Sequence, residues 1–131
     1  MRRWSENSSR ITLEAVDVPM GDDHCLVITG GDRPHLGAVA LAQARPSLRD
    51  PSKVSASTSV LTLLGHKEDI VAHRAAERLA AALNCNVAVC CGIHVDAISA
   101  VELEFIDRAI DRFCSLVIQA VQQPGGPARE T

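Results

Sequence analysis

The chain has almost no aromatic residues. It contains no tyrosine, one tryptophan and two phenylalanines among 131 residues, so aromatic rings cannot form a platform for stacked bases. It also lacks a basic surplus, with a formal net charge of -3 and a pI of about 5.9. Nucleic-acid binding is therefore disfavoured, because that function needs a positively charged face. The hydrophobic fraction of 47% must be supplied mainly by Val, Ile, Leu and Ala.

Long apolar runs and paired cysteine motifs are missing as well. No segment approaches the roughly 20 apolar residues of a membrane span, and residues 1–10 lack the apolar core of a signal peptide. The five cysteines are an odd number and include no C-x-x-C pair, which disfavours a disulfide framework or a structural zinc. We expect a reduced, soluble, cytoplasmic protein without a metal or membrane partner.

The hydrophobic pattern predicts one α+β domain over residues 10–122, with flexible termini at 1–9 and 123–131. A capping box beginning at Ser99 marks the start of the second helix. The sheet is expected to be mainly antiparallel, with two helices packed on one face and the order β-β-β-β-α-β-α. The predicted strands are 11–18, 24–29, 36–43, 56–64 and 87–95, and the predicted helices are 67–83 and the segment that starts at Ser99.

Helices on one face leave the other face of the sheet to be explained. The third and fifth predicted strands are apolar at nearly every position, and such a face favours a partner. We therefore expect a homodimer, packed through the sheet or around a ligand held between protomers.

The segment Gly65-His66-Lys67 immediately precedes the first predicted helix. Amides of a first helical turn, the helix dipole and a lysine ammonium together form a favourable phosphate site. Glu68 and Asp69 weaken the local positive potential, so an ordinary solvated first turn is the competing interpretation. His66 and His73 share a helical face, but two histidines without a third ligand make a weak metal site.

A glycine-rich segment joins the second and third predicted strands. Gly30 and Gly31 would allow a backbone to approach a ligand closely, while Arg33 and His35, followed by Gly37, could supply donors. The segment matches neither the P-loop nor the dinucleotide-binding fingerprint, since no helix follows it. A ligand loop and a plain loop are both open at this point.

His94 and Asp96 lie two residues apart at the end of a strand, on the same face. A carboxylate next to an imidazole fixes its tautomer and raises its basicity, so the pair is a candidate general base, a hydrogen-bonding anchor or a plain strand terminus. We expect the strand ends near Lys67 and Asp96 to meet at one cavity that holds an anionic headgroup.

Four short strings, in this order and spacing, resemble the prenylated-flavin chaperone family. This family is the small subunit that accompanies gallate-type decarboxylases dependent on prenylated FMN. The resemblance runs from about residue 10 to 122. The strings are Met20-Gly-Asp-Asp23, Ile28-Thr-Gly-Gly-Asp32 with Pro34-His35-Leu36-Gly37, Gly65-His66-Lys67-Glu68-Asp69 and Gly92-Ile-His-Val-Asp96.

The resemblance implies a homodimer without catalytic residues that binds prenylated FMN, or FMN, and delivers it to a partner decarboxylase or assists its maturation there. Two alternatives are a small acid-base enzyme using His94 and Asp96, and a purely structural accessory subunit. The candidate cofactor-binding residues are Gly30, Gly31, Arg33, His35, Gly37, His66, Lys67, His94 and Asp96.

Overall fold

The computed structural model describes residues 1–63 and 68–123, which form a six-stranded sheet and two helices. The elements along the chain are β1 (Arg2–Ser8), β2 (Ile11–Met20), β3 (Asp23–Gly31), β4 (Ala38–Pro46), β5 (Val54–Thr62), α1 (Asp69–Leu83), β6 (Val87–His94) and α2 (Ala100–Gln122). The predicted α+β class is confirmed.

The sheet has the strand order β1-β2-β3-β6-β4-β5. Strand β6 lies between β3 and β4, parallel to β3 and antiparallel to β4. The remaining neighbours, β1 with β2, β2 with β3 and β4 with β5, are antiparallel. The sheet is therefore mixed, with a parallel pair that the prediction of a mainly antiparallel sheet did not locate.

Both helices pack on one face of this sheet and form a single core with it. Helix α1 contacts β4, β5, β6 and α2, whereas α2 reaches β1 and β2. The strands alternate buried and less buried residues, which is the period of two expected when one face is covered. Small alanines on β4 and α1 let the two layers approach closely, and Phe113 of α2 is fully buried.

The predicted order lacked one strand, because residues 1–9 are not a flexible arm. Residues 2–8 form β1, an edge strand along β2, in which Trp4 lies opposite Ala15 and packs against the core. Glu6 of the same strand pairs with Arg112 of α2. The polar composition that suggested disorder is typical of an edge strand, where charged residues discourage pairing with other molecules.

The helix ends follow the local sequence. The Ser99 side chain caps α2 by accepting a hydrogen bond from the Glu102 amide, and the Glu102 carboxylate accepts one from the Ser99 amide, which confirms the predicted capping box. Asn84 ends α1 in the left-handed conformation. Neither helix in the described part of the chain has the length and apolar character needed to cross a bilayer.

Candidate functional site

A pocket of about 400 Å³ opens where the start of α1, the end of β6 and the first turns of α2 meet. We call it the helix-side pocket. Most of its wall is aliphatic, with polar groups from Glu68, His94 and Asp107. The apolar lining residues are Val71, Cys91, Ile93, Val95, Ile98, Leu103 and Ile106. Burial raises the pKa of the Cys91 thiol to about 12, so this cysteine is an unreactive wall residue.

Glu68 connects the pocket to the glycine-rich segment. It is the N-cap residue of α1, and only 11% of its side chain is exposed. Its Oε1 atom lies 3.0 Å from Nε2 of His35 and accepts a hydrogen bond of 3.3 Å from the Ile93 amide. The Nδ1 atom of His35 lies 3.1 Å from the Arg33 carbonyl, which can only accept, so Nδ1 carries a proton in this arrangement.

The glycines at this end of the sheet are required by close packing. A Cβ atom on Gly92 would lie 1.3 Å from the His35 carbonyl oxygen, and one on Gly37 would lie 2.7 Å from the Glu68 carboxyl. Gly30 and Gly31 are the last residues of β3, paired with β6, and are not in a turn that breaks the strand. Gly31 has a φ of +78°, and a Cβ atom there would lie 2.2 Å from the His94 carbonyl oxygen.

His94, Asp96 and Arg33 form a cluster at the rim of the pocket. His94 Nε2 lies 2.8 Å from an Asp96 carboxylate oxygen and 3.0 Å from an Arg33 guanidinium nitrogen. One nitrogen cannot donate to Asp96 and accept from Arg33 at once, so the contacts are alternatives. The contact to the carboxylate is shorter and we favour it. The hydrogen bond from His94, followed by the charges of Arg33 and Arg10, lowers the pKa of Asp96.

Arg10 stabilises the loop that follows β6 through hydrogen bonds to the loop and to α2. Its guanidinium donates to both Glu102 carboxylate oxygens, at 2.9 and 3.1 Å, and to the Asp96 carbonyl at 2.6 Å. Asp32 accepts from the Asp96 amide at 2.7 Å and lies 3.7 Å from Arg10. The hydrogen bond from Arg10, together with the Ser99 amide, lowers the pKa of Glu102 to about 2. The sequence offered no signal for this role of Arg10, which lies at the predicted domain boundary.

The structure brings most of the predicted site residues to one end of the sheet. Arg33, His35 and His94 lie together there with Gly31 and Gly37. The expectation of a cavity shared by Lys67 and Asp96 is only partly testable, because His66 and Lys67 lie outside the described residues. Asp96 does not line the helix-side pocket, and 68% of its side chain is exposed. A cavity that Asp96 shares with Lys67 stays a prediction.

A second hollow, of about 320 Å³, lies on the opposite face of the sheet. It is lined by Val27, Thr29, His35, Leu36, Cys90, Cys91 and Gly92. The His35 and His94 rings meet edge to face, with centroids 6.4 Å apart. Within residues 1–63 and 68–123, no group of three His, Cys, Asp or Glu side chains is placed to hold a metal ion.

Comparisons with known proteins agree with this architecture. Residues 7–122 match the family model described as the prenylated flavin chaperone LpdD-like domain. A solved structure titled as a novel chaperone complex for yeast 20S proteasome assembly has a chain with a TM-score of 0.53 and 18% identity, covering 90% of this chain and 94% of its own. At that identity the likeness concerns the fold alone. No curated protein matches the sequence.

Proposed function

Because the chain belongs to the prenylated flavin chaperone LpdD-like family, we propose that it binds prenylated FMN and delivers it to, or assists its maturation in, a partner decarboxylase. Its role in this proposal is that of a cytoplasmic carrier without catalytic residues of its own. The observation that supports it is the helix-side pocket, an aliphatic cavity with cationic and imidazole groups at its rim.

The pocket suits the ring system of a modified flavin. Its volume of about 400 Å³ lies within the range of small-molecule sites, and its wall combines apolar side chains with a few polar groups. Among the described residues, its lining includes no Phe, Tyr or Trp, so the rings would lie between aliphatic side chains such as Val71 and Ile98. Glu68 and His94 would provide the polar contacts to the ring edge.

The rim offers limited charge for a phosphate. Arg10 is already paired with Glu102. The Arg33 side chain is 72% exposed, and its contacts among the described residues are to His94 and Asp96. We propose that Arg33 binds the phosphate group of the flavin nucleotide. That Lys67 also binds it stays a prediction from the sequence. Nearby carboxylates weaken the attraction, which suits a protein that must release its cargo, since an overly stable complex would retain it.

One observation favours a second function. The His94 and Asp96 side chains are in hydrogen-bonding contact at 2.8 Å, as a general base oriented by a carboxylate would be. The pair lies at the rim, however, and Arg33 competes for the same nitrogen. Turnover of a small phosphorylated or carboxylated substrate by the isolated chain would favour this enzyme over the carrier.

Filling the pocket tests the carrier proposal. Ile98 lines the pocket, and Ile98→Trp should place an indole in the space assigned to the flavin rings. The purified protein is mixed anaerobically with reduced prenylated FMN, and the chromophore retained through gel filtration is measured. We expect the wild type to retain it and Ile98→Trp to bind at least about tenfold more weakly, a difference of about 1.4 kcal/mol.

Ile70→Trp is the matched control, since Ile70 lies on α1, is 70% exposed and does not line this pocket. It should bind like the wild type. Equal losses in both variants, or no retention by the wild type, would contradict the proposed site. A wild type that binds only an apo-decarboxylase, and no flavin, would instead support a structural accessory subunit.

A further inference from the structure

One wall of the helix-side pocket is the loop between β6 and α2. Val95 and Ile98 of this loop line the pocket, and we call residues 95–99 the 95–99 loop. The other lining residues come from β6, from α1 and its N-cap residue, and from α2. Those elements pack against one another in a single core. The loop is therefore the wall that can move with little disruption of packing.

The backbone of the 95–99 loop is held by side chains from other elements. The pairing of β6 with β3 ends one residue before the loop. Within the loop, the Asp96 amide donates to the Asp32 carboxylate at 2.7 Å, and the Asp96 carbonyl accepts from Arg10 at 2.6 Å. Ala97 has a φ of +49°, in the left-handed region that residues with a Cβ atom rarely adopt. The side-chain contacts thus hold the loop in a conformation that its own backbone disfavours.

Arg10 joins the 95–99 loop to two fixed parts of the fold. It lies in the turn between β1 and β2, next to the buried Ile11. Its guanidinium donates to the Asp96 carbonyl in the loop and to the Glu102 carboxylate in the first turn of α2. The Arg10 side chain is 44% exposed, so water and salt compete for these contacts. This link can therefore open and form again without unfolding of the core.

We infer that Arg10 is a positioning residue that keeps the 95–99 loop closed over the helix-side pocket and so sets the rate at which the cargo enters and leaves. The inference rests on the proposed function, because it concerns the cargo of the same pocket. Ile98 is 36% exposed, and flavin rings beside it would cover part of this apolar surface. The cargo thus favours the closed loop, and opening of the loop is the step that permits release.

A residue that controls a gate has a kinetic signature that a direct ligand contact lacks. Arg10→Gln breaks the link to Glu102, so the open loop becomes more populated both with and without cargo. Association and dissociation should then accelerate together, and the dissociation constant should change little. Loss of a direct contact would mainly accelerate dissociation and weaken the affinity. Arg10→Lys keeps the charge but loses the paired hydrogen bonds, so its rates should be intermediate.

Two measurements test the inference. Hydrogen exchange of the Asp96 and Ser99 amides is measured by NMR in the protein without flavin, since these amides donate to the Asp32 and Glu102 carboxylates. Anaerobic stopped-flow mixing measures the association of reduced prenylated FMN, and dilution of the loaded protein measures its dissociation. Arg10→Gln should accelerate the exchange of both amides and both flavin rates at least about tenfold, because hydrogen bonds from a charged group are lost.

Arg78→Gln is the matched control, because Arg78 also joins two elements through hydrogen bonds. It donates from α1 to the Asp111 carbonyl and the Ser115 hydroxyl of α2, and it is not among the described residues that line the pocket. This variant should keep the wild-type exchange of the loop amides and both wild-type flavin rates. Should Arg10→Gln not fold, Arg10→Lys tests the same expectation with smaller effects.

Failure of the inference and failure of the proposed function give different results. A wild type that retains flavin while Arg10→Gln changes neither rate, or dissociation alone, would overturn the role of Arg10 and leave the carrier proposal standing. The same holds if Arg78→Gln changes the rates as much as Arg10→Gln does. A wild type that binds no flavin would overturn both.

Discussion

At the scale of single residues, the glycines near the site show how packing and ligand binding leave similar signatures in a sequence. Gly92 followed a buried strand and preceded His94, which suggested a functional strand end. The structure gives it a steric role, since the His35 carbonyl lies against its α-carbon. The contact holds His35 where it meets both Glu68 and the His94 ring.

Gly92→Ala should destabilise the protein by at least about 2 kcal/mol, because the added methyl group would overlap the His35 carbonyl and force the backbone apart. Urea unfolding followed by circular dichroism measures the change. Gly21→Ala is the control. Gly21 has a φ of +63° with open space around its α-carbon, so only the left-handed conformation is penalised, at about 1 kcal/mol. Equal losses at the two positions would refute the steric role of Gly92.

At the scale of elements, β1 is the strand that the sequence analysis did not predict, because its composition is mostly polar. Trp4 is the one large apolar residue of β1, and four of its seven residues are charged or amide-bearing, so hydrophobic periodicity could not separate it from a disordered arm. Strand β1 is held in place by its pairing with the edge of β2, by the packing of Trp4 against the core and by the Glu6–Arg112 ion pair. These contacts are non-local, and a local pattern does not contain them.

Trp4→Ala should lower the free energy of unfolding by about 2 kcal/mol, since a partly buried indole would lose its contact with the core. Ser5→Ala, on the exposed side of the same strand, should cost no more than about 0.5 kcal/mol. Unfolding should be followed by circular dichroism, because Trp4 is the only tryptophan and its removal abolishes the tryptophan fluorescence signal. If residues 1–9 were disordered, neither substitution would matter.

The link between Arg10 and α2 predicts a dependence of stability on pH. The pKa of Glu102 falls from 4.5 to about 2 in the folded chain, mainly through the Arg10 hydrogen bond. A lowered pKa stabilises the folded state above pH 4.5, and that contribution is lost as pH falls towards 2. The stability difference between wild type and Glu102→Gln should therefore shrink between pH 6 and pH 3.

Glu104→Gln provides the comparison for that measurement. Glu104 is on the same helix, is 72% exposed and forms a long ion pair of 4.0 Å with Arg108. Its difference from the wild type should stay small across the same pH range, because exposed pairs of this kind contribute little. A Glu102→Gln difference that is independent of pH would contradict the role assigned to Arg10.

At the scale of the whole molecule, the sequence predicted five strands, two helices and their order correctly apart from β1. Alternation, the capping box at Ser99 and the apolar stripe of α2 are local signals, and they sufficed for these elements. The strand order could not be predicted from the sequence. It depends on which strand edges pair, and this is decided by contacts such as that of Val27 with Cys90, 63 residues apart. The same holds for the site, where Arg33 and His94 were recognised separately and their contact was not.

The position of β6 has a consequence for how the polypeptide is made. Strands β1 to β3 form one antiparallel unit and β4 with β5 another, and only β6, near the end of the chain, joins them. While the ribosome is still synthesising the residues before 87, both units expose an edge ready to pair with foreign strands. The nascent chain is thus most prone to aggregation just before its last third is synthesised. Once the eight-residue strand β6 forms, it pairs with the exposed edges of β3 and β4 and covers both.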